Sequence, residues 1–156
     1  MAICPFCRPS IKEAVFFEST HFMAIYNIAP VFPGHALVIP KVHKTGLLLI
    51  PEEEIVEMVK LSRMVVRILQ KAFHTRGFNW TIQEGEEAGQ TIEHLHMHII
   101  PRKPQDMEHP GDWYPLLKKF YTENIDSELR PKISADEMKR IVSKLKEVAE
   151  TLSTSL

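Results

Sequence analysis

The stretch His94-Leu95-His96-Met97-His98-Ile99-Ile100 alternates three histidines with large apolar residues. Successive side chains of a β-strand point to opposite faces, so this spacing predicts a strand with all three imidazoles on one face. Leu95, Met97 and Ile99 then share the other face, and their burial fixes the register. The imidazoles are expected to line a surface or cleft. Because histidine titrates near neutral pH, three in a row favour proton transfer, nucleophilic attack or metal binding.

Composition and charge narrow the class of protein. The chain has 156 residues, of which 44% are hydrophobic and 25% charged, as in an ordinary globular protein. We expect residues 1–156 to form a single domain with a core of its own. The formal net charge of -1 offers no basic field for nucleic acid, and no apolar run is long enough to span a membrane. The N-terminus lacks the features of a secretory signal, so we expect a cytoplasmic protein.

Hydrophobic periodicity predicts the secondary structure. Five short segments have the alternation and composition of strands, namely Ala14–Glu18, Phe22–Tyr26, His35–Ile39, Phe78–Gln83 and His94–Ile100. Apolar residues recur at helical spacing from Glu52 to Phe73 and from Ile133 to Leu152, with Ser134 as a capping residue of the second helix. Residues 103–131 are expected to form a loop and 132–154 the C-terminal helix. The sequence therefore predicts an α+β fold: a five-stranded, mainly antiparallel sheet, one long inserted helix and one C-terminal helix.

The histidine row is consistent with several functions. It could be an exposed strand without chemistry, a catalytic metal site that uses all three imidazoles, a nucleophile with two helpers, or a nucleotide site without turnover. The segment Gly89-Gln90-Thr91 lies just upstream of the row. Glycine lets a ligand approach the backbone closely, and N–H groups with Gln and Thr side chains can bind phosphate oxygens. A candidate phosphate site directly beside the histidine row favours phosphoryl or nucleotidyl transfer as the chemistry of the row.

The row resembles the signature of the histidine triad (HIT) family of nucleotide hydrolases and transferases. Further segments similar to that family, and to its fragile-histidine-triad branch in particular, are Ala88–His94, Pro101–Lys103 and Pro33–Pro40. The resemblance implies a HIT-like fold, a homodimer joined across the long helix and the adjacent strand, and cleavage of dinucleoside polyphosphates at the α-phosphate. Cleavage would pass through a covalent nucleotidyl adduct on His96 and release a nucleoside monophosphate. A dinucleoside polyphosphate phosphorylase, a nucleoside phosphoramidase and a nucleotide-binding regulator remain alternatives.

The resemblance also implies roles for single residues. His96 would attack, His98 would contact the phosphate and assist the leaving group, and His94 would brace the site. The substrate-binding residues would be Asn27 at the ribose, Ile25 and Leu37 at the base, and Gln83, Gly89, Gln90, Thr91, His98 and Tyr114 at the phosphates. Asn27 could instead cap a strand end, Ile25 and Leu37 could be ordinary core, and Tyr114 could anchor its loop.

The cysteine pair in Cys4-Pro5-Phe6-Cys7 has three interpretations. A redox motif needs a preceding strand, and only three residues precede Cys4 in this sequence. Two unligated thiols and half of a tetrahedral zinc site remain. Other members of the HIT family carry such a pair with a Pro-Lys-x-His segment, which is similar to Pro40-Lys41-Val42-His43. The resemblance implies a structural Zn²⁺ held by Cys4, Cys7, His43 and His94, with residues 1–10 as the zinc-binding N-terminal segment and Mg²⁺ as a candidate ion on the substrate.

Overall fold

The computed structural model describes residues 4–112 and 130–154. The five strands β1 to β5 are Val15–Glu18, Phe22–Tyr26, Ala36–Pro40, Gly77–Ile82 and Met97–Arg102. The helices α1 and α2 are Glu52–Phe73 and Ala135–Ser153. Short 3₁₀ turns cover Pro5–Cys7, Pro9–Ala14, Leu47–Leu49, Glu86–Ala88 and Pro110–Asp112. Neither α-helix is long and apolar enough to cross a membrane.

The strands form one sheet in the order β1-β2-β3-β5-β4, and every neighbouring pair is antiparallel. The long helix α1 connects β3 to β4, and α2 follows the sheet in the sequence. The predicted α+β architecture, with one inserted helix and one C-terminal helix, is therefore confirmed. The bounds of α1 agree with the prediction because its apolar stripe continues through all of its turns.

The two faces of the sheet have different partners. Met97 pairs with Val38 and Ile82, and its Sδ lies 3.4 Å from Ser62 Oγ on α1, so α1 covers the Met97 face. His98 lies opposite Leu37 on one neighbouring strand and Thr81 on the other. Directly opposed residues share a face of the sheet. The face that carries His98 is therefore the one turned away from α1.

The histidine strand begins later than predicted. β5 starts at Met97, which leaves His94, Leu95 and His96 outside the ladder. Pairing with both neighbouring strands ends at Met97, although β3 continues to Pro40, because the Leu95 N–H donates to Lys44 O at 2.6 Å. Of the two locations expected for the imidazoles, a surface or a cleft, the surface is wrong, since His94, His96 and His98 are 0%, 1% and 0% exposed. The N-terminal turn covers this end of the sheet, with Phe6 against His94 and His96.

Smaller differences follow from local hydrogen bonds. The helix α2 begins at Ala135 because Ser134 is its N-cap and accepts the Glu137 N–H at 3.2 Å, so the residues before it are not helical. The N-terminal segment folds as 3₁₀ turns, with Pro5 and Pro9 at their first positions. These turns were not predicted from the sequence. They place the apolar side chain of Phe6 in the core.

Candidate active site and metal centre

The triad histidines form a continuous buried cluster of rings. The centroids of His96 and His98 are 4.9 Å apart, with the ring planes at 70°. Phe6, from the N-terminal turn, presents an edge to His94 at 5.5 Å and to His96 at 5.4 Å. The three imidazoles are thus brought together although only His98 lies within the strand. Phe6 closes the cluster on one side.

A backbone carbonyl fixes the orientation of His96. Its Nδ1 lies 2.6 Å from the carbonyl oxygen of His94. A carbonyl only accepts hydrogen bonds, so Nδ1 carries the proton and donates. The remaining nitrogen, Nε2, then holds the lone pair of the neutral ring. His96 is therefore presented in the tautomer that a nucleophilic imidazole requires.

His98 is held by His35, a residue that our sequence reasoning did not assign to the site. His35 Nε2 lies 2.9 Å from His98 Nδ1, and both rings are fully buried. His35 follows the turn at Gly34 and pairs through its backbone with Asn27, whose N–H donates to His35 O at 3.0 Å. The only signal in the sequence was the position of His35 directly after the Pro33-Gly34 turn.

Four side chains gather into one candidate metal centre. The donor atoms of Cys4, Cys7, His43 and His94 all lie within 4.8 Å of one another. His94 Nδ1 is 3.5 Å from Cys4 Sγ and 3.6 Å from Cys7 Sγ, and His43 Nδ1 is 3.4 Å from Cys7 Sγ. Sulfur and nitrogen ligands of a tetrahedral Zn²⁺ are about 3.5 Å apart, from bond lengths of about 2.3 and 2.05 Å. These three sulfur–nitrogen distances therefore fit a tetrahedral ion.

The hydrogen bonding and burial of His94 favour its role as a metal ligand. Its Nε2 lies 3.0 Å from the carbonyl oxygen of Pro40, which places the ring proton on Nε2 and leaves Nδ1 toward the cysteines. Burial lowers the pKa of His94 below its usual value, and the neighbouring His43 and His96 add to this effect against the Pro40 bond. A metal ligand must be the neutral imidazole, so this environment suits one.

The residues proposed to hold a nucleoside line a separate cavity. Ile25, Asn27 and Leu37 contribute to a cavity of about 480 Å³, and Phe6 forms part of its wall. Ile25 lies opposite Leu37, and Leu37 lies opposite His98. The cavity is thus connected to the histidine cluster through Leu37 and Phe6. The Asn27 side chain accepts the Ala29 N–H at 2.9 Å, so it also performs the capping role considered above.

The predicted phosphate loop is bonded largely within itself. The N–H groups of Gly89 and Gln90 donate to Glu86 O at 2.9 Å and to Gly85 O at 3.1 Å. The Gln90 side chain accepts the Gly85 N–H at 2.8 Å and donates to Ile92 O at 2.9 Å. From the sequence, we expected these N–H groups to bind phosphate oxygens. In the structure they donate to carbonyl groups of their own loop.

The other residues predicted to contact the phosphates are Gln83, Thr91 and Tyr114, and the structure describes the first two. Gln83 is buried directly after β4 and donates to Thr81 Oγ1 at 2.6 Å. Its Oε1 is buried without a hydrogen-bond partner in the described part of the chain. Thr91 is exposed at the end of the phosphate loop. Tyr114, the remaining predicted contact, lies outside the described residues.

The comparisons with known protein families and with known proteins agree on one family. Residues 8–105 match the HIT domain. The chain is 34% identical to the bis(5'-adenosyl)-triphosphatase of Dictyostelium discoideum over 127 residues, which cover 77% of this chain and 85% of that protein.

Solved structures agree with this match. The Plasmodium falciparum diadenosine triphosphate hydrolase in complex with cyclomarin A superposes with a TM-score of 0.71 and 27% identity, covering 90% of this chain and 78% of that one. A Zn-bound histidine triad family protein from Mycobacterium smegmatis gives 0.70 and 25%, covering 98% and 97%. With its buried histidine row, its sheet order and the match over residues 8–105, this chain belongs to the HIT domain family.

Proposed function

We propose that the protein hydrolyses dinucleoside polyphosphates such as diadenosine tri- or tetraphosphate. The observation that carries the proposal is the bond from His96 Nδ1 to His94 O, which places the ring proton on Nδ1 and the lone pair of the neutral imidazole on Nε2, the arrangement that a nucleophilic histidine needs. The names of similar proteins support the same substrate class, since the relative from Dictyostelium discoideum is a bis(5'-adenosyl)-triphosphatase.

The reaction proceeds in two displacements at the α-phosphorus. In the first, His96 Nε2 forms a P–N bond while the bond to the bridging oxygen breaks, and the remaining nucleotide leaves with that oxygen. In the second, water attacks the same phosphorus, the P–N bond breaks, and a nucleoside monophosphate is released. Dividing the reaction avoids attack by unactivated water on the intact polyphosphate. His98 assists the leaving oxygen, and His94 braces the site.

Binding would use the groups around the cluster. The nucleoside occupies the cavity at Ile25, Asn27 and Leu37, and the phosphates lie toward Gln83 and the loop 89–91. Hydrogen-bond donors aimed at the phosphoryl oxygens stabilise the charge that develops there. Because Gly89 and Gln90 are bonded within their loop, substrate binding through their N–H groups requires these internal bonds to be exchanged for bonds to phosphate.

The adduct on His96 is the direct test. Mixing the protein with radiolabelled diadenosine triphosphate and quenching rapidly in base should trap about one nucleotidyl group per active chain. His96→Asn should give no adduct and lose at least about a thousandfold in turnover, because it removes the nucleophile. The matched control is His74→Asn, at an exposed histidine whose positive φ of 54° asparagine tolerates. Full activity in His96→Asn would refute the mechanism.

Product analysis separates the related activities. If added inorganic phosphate replaces water as the attacking group in the second displacement, the product becomes a nucleoside diphosphate, and this change would indicate a phosphorylase. Preferred cleavage of a nucleoside phosphoramidate would indicate a phosphoramidase. Tight nucleotide binding without product would indicate a regulator.

We also propose that Cys4, Cys7, His43 and His94 hold a structural Zn²⁺. Two thiolates and two neutral imidazoles form a closed tetrahedral set that leaves no position for substrate. The spacing of the donor atoms and the Zn-bound relative from Mycobacterium smegmatis support this assignment. The bound ion would cross-link the N-terminal turn to the segment that carries the triad. Thiols retained as ligands agree with a reducing compartment, so we place the protein in the cytoplasm.

We further propose a homodimer formed through α1 and β4. Val56 and Val59 on α1 are 54% and 39% exposed, and Phe78 and Trp80 on β4 are 43% and 37% exposed. Trp80 lies opposite Ile99 and Phe78 opposite Pro101, so both aromatic side chains lie on the sheet face that α1 covers. An exposed apolar patch at a sheet edge is typical of an interface.

Sedimentation velocity tests the dimer. Val56→Glu should shift the protein to a monomer at micromolar concentration, because a carboxylate would be buried without a partner. Leu48→Glu is the control, since Leu48 is 94% exposed on the 3₁₀ turn Leu47–Leu49, which belongs to neither α1 nor β4. A monomeric wild-type protein would overturn the proposal.

A further inference from the structure

One short turn belongs both to the candidate metal centre and to the proposed nucleoside cavity. It is the 3₁₀ turn Pro5–Cys7, with Cys4 as its N-cap. Cys4 and Cys7 supply the two sulfur donors of the metal centre. Pro5 and Phe6, which lie between them in the sequence, line the cavity of about 480 Å³. A metal ion and a nucleoside would therefore both contact this one turn.

The side chain of Phe6 connects the two places physically. It is 8% exposed and belongs to the hydrophobic core. The centroid of its ring lies 5.5 Å from that of His94, a donor of the metal centre, and 5.4 Å from that of His96, the proposed nucleophile. The same side chain forms part of the cavity wall. A displacement of the turn would therefore change both the cavity and the packing around the two histidines.

Hydrogen bonds hold the turn only weakly to the rest of the protein. Its two backbone bonds, of 3.0 and 3.4 Å, both lie within residues 4–8. Among the residues that the structure describes, its hydrogen bonds to segments distant in sequence are the sulfur–imidazole contacts of 3.4, 3.5 and 3.6 Å with His43 and His94. A thiol is a weak donor. These contacts therefore fix the turn less firmly than coordination of both sulfurs to one ion would.

We propose that the metal ion and the nucleoside bind cooperatively through the turn Pro5–Cys7, each raising the affinity for the other. This inference rests on the proposed nucleoside cavity and the proposed Zn²⁺ site. Coordination of Cys4 and Cys7 holds the turn in the position that forms the cavity wall, so less free energy is lost in ordering it when the nucleoside binds. A nucleoside against Phe6 in turn favours the position in which the sulfurs lie near the imidazoles. The two effects are equal in magnitude, because coupling between two binding sites is reciprocal.

A competition experiment on the zinc-loaded protein measures this coupling. Titration with a chelator of known zinc affinity gives the dissociation constant for zinc, first alone and then with saturating AMP. We expect AMP to raise the zinc affinity about tenfold, which is within the usual range of coupling between two sites. Ribose 5-phosphate is the control for chelation by the added compound, because it has the phosphate and sugar of AMP but no base to contact the cavity wall.

Two substitutions in the cavity wall separate the turn from the rest of the cavity. Phe6→Leu keeps all four metal donors but alters the side chain that connects them to the cavity, so AMP should change its zinc affinity less than about threefold. Ile28→Ala is the matched control, since Ile28 lines the same cavity, is 52% exposed and follows β2 instead of belonging to the turn. It should weaken AMP binding but keep the effect of saturating AMP on zinc affinity.

The outcomes distinguish this coupling from the proposals on which it rests. AMP that binds the zinc-loaded protein without changing its zinc affinity would overturn the coupling. An equal effect of ribose 5-phosphate, or an undiminished effect of AMP in Phe6→Leu, would also overturn it. A zinc-loaded protein that binds no AMP in calorimetry would refute the nucleotide site, and a protein that retains no zinc would refute the metal site. Either of these last two results would remove the coupling as well.

Discussion

Gly34 determines the turn that delivers His35 to the site. Its φ is +95°, and a Cβ built there would lie 2.8 Å from Pro101 Cγ and 3.0 Å from Phe73 Cδ2. Its N–H also donates to the Tyr26 hydroxyl at 3.1 Å. A side chain at this position meets both backbone strain and close packing. The glycine is therefore required for two separate physical reasons.

Gly34→Ala should lower the free energy of unfolding by about 2–4 kcal/mol, from the cost of a left-handed conformation and of overpacking. Urea denaturation monitored by tryptophan fluorescence measures this loss. Gly111→Ala is the control, because nothing lies within 4 Å of its added Cβ and its φ is not in the positive range. A Gly34→Ala protein as stable as Gly111→Ala would show that the loop relaxes without cost.

At the scale of elements, a charged pair joins the β1–β2 turn to α1. Glu57 accepts the His21 N–H at 2.8 Å and contacts His21 Nδ1 at 2.6 Å, and it also accepts the hydroxyl of Ser19. The backbone bond from His21, then the Ser19 hydroxyl and the His21 ring, lower the pKa of Glu57 from 4.5 to about 2. The bond to Glu57 raises the pKa of His21 above 6.5.

The stabilisation by this pair should depend on pH in both directions. The Glu57 contribution is complete above pH 4.5 and is lost as the pH falls through about 2. The His21 contribution is complete below pH 6.5 and is lost as the pH rises through its raised pKa. Stability curves of wild type and Glu57→Gln should therefore differ most between pH 4.5 and 6.5. Glu147→Gln, at an exposed position of α2, should follow the wild-type pH profile; a pH-independent difference for Glu57→Gln would contradict the prediction.

Helices and strands could be predicted from the sequence where the pattern that determines them lies within the segment itself. The apolar period of α1 runs from Glu52 to Phe73, and the sequence alone gave those bounds. The start of β5 was predicted at His94 but lies at Met97, because the Leu95 N–H bonds to Lys44 O, a partner distant in sequence, and does not join the ladder with β3. The N-terminal 3₁₀ turns were missed because they lack periodicity. Pairing over long sequence distances is not encoded in any short window of residues.

At the scale of the whole molecule, the candidate metal centre joins the N-terminal turn to the triad segment. Removing the metal with a chelator should lower Tm by about 4–8 °C if the ion contributes about 2 kcal/mol. Cys7→Ala should lower Tm by a similar amount and should no longer respond to the chelator. Elemental analysis should give about one zinc per wild-type chain. Chelation that abolishes turnover at unchanged Tm would instead favour catalytic zinc.

The site could be predicted from the sequence where the residue types present allow only a few kinds of chemistry. Cys4, Cys7, His43 and His94 were grouped by resemblance to the family, and the structure brings their donor atoms together. The bond between His35 and His98 could not be foreseen, since it depends on two ring rotations 63 residues apart in sequence. The internal bonds of Gln90 were equally hidden, because an amide side chain can face either its own loop or a ligand.

Three groups of His94 have separate partners: Nδ1 faces the cysteines, Nε2 bonds to Pro40, and the carbonyl oxygen accepts from His96. The contact that orients His96, the proposed nucleophile, belongs to the main chain and is therefore independent of residue type. In evolutionary terms, the cysteine and histidine ligands of the candidate metal centre and the orientation of His96 can therefore be selected separately. A lineage that lost both cysteines would give up the proposed ion and its stabilisation, yet the proposed nucleophile would still have its acceptor oxygen. The divergence of the family into members with and without the cysteine pair would then need no change in chemistry.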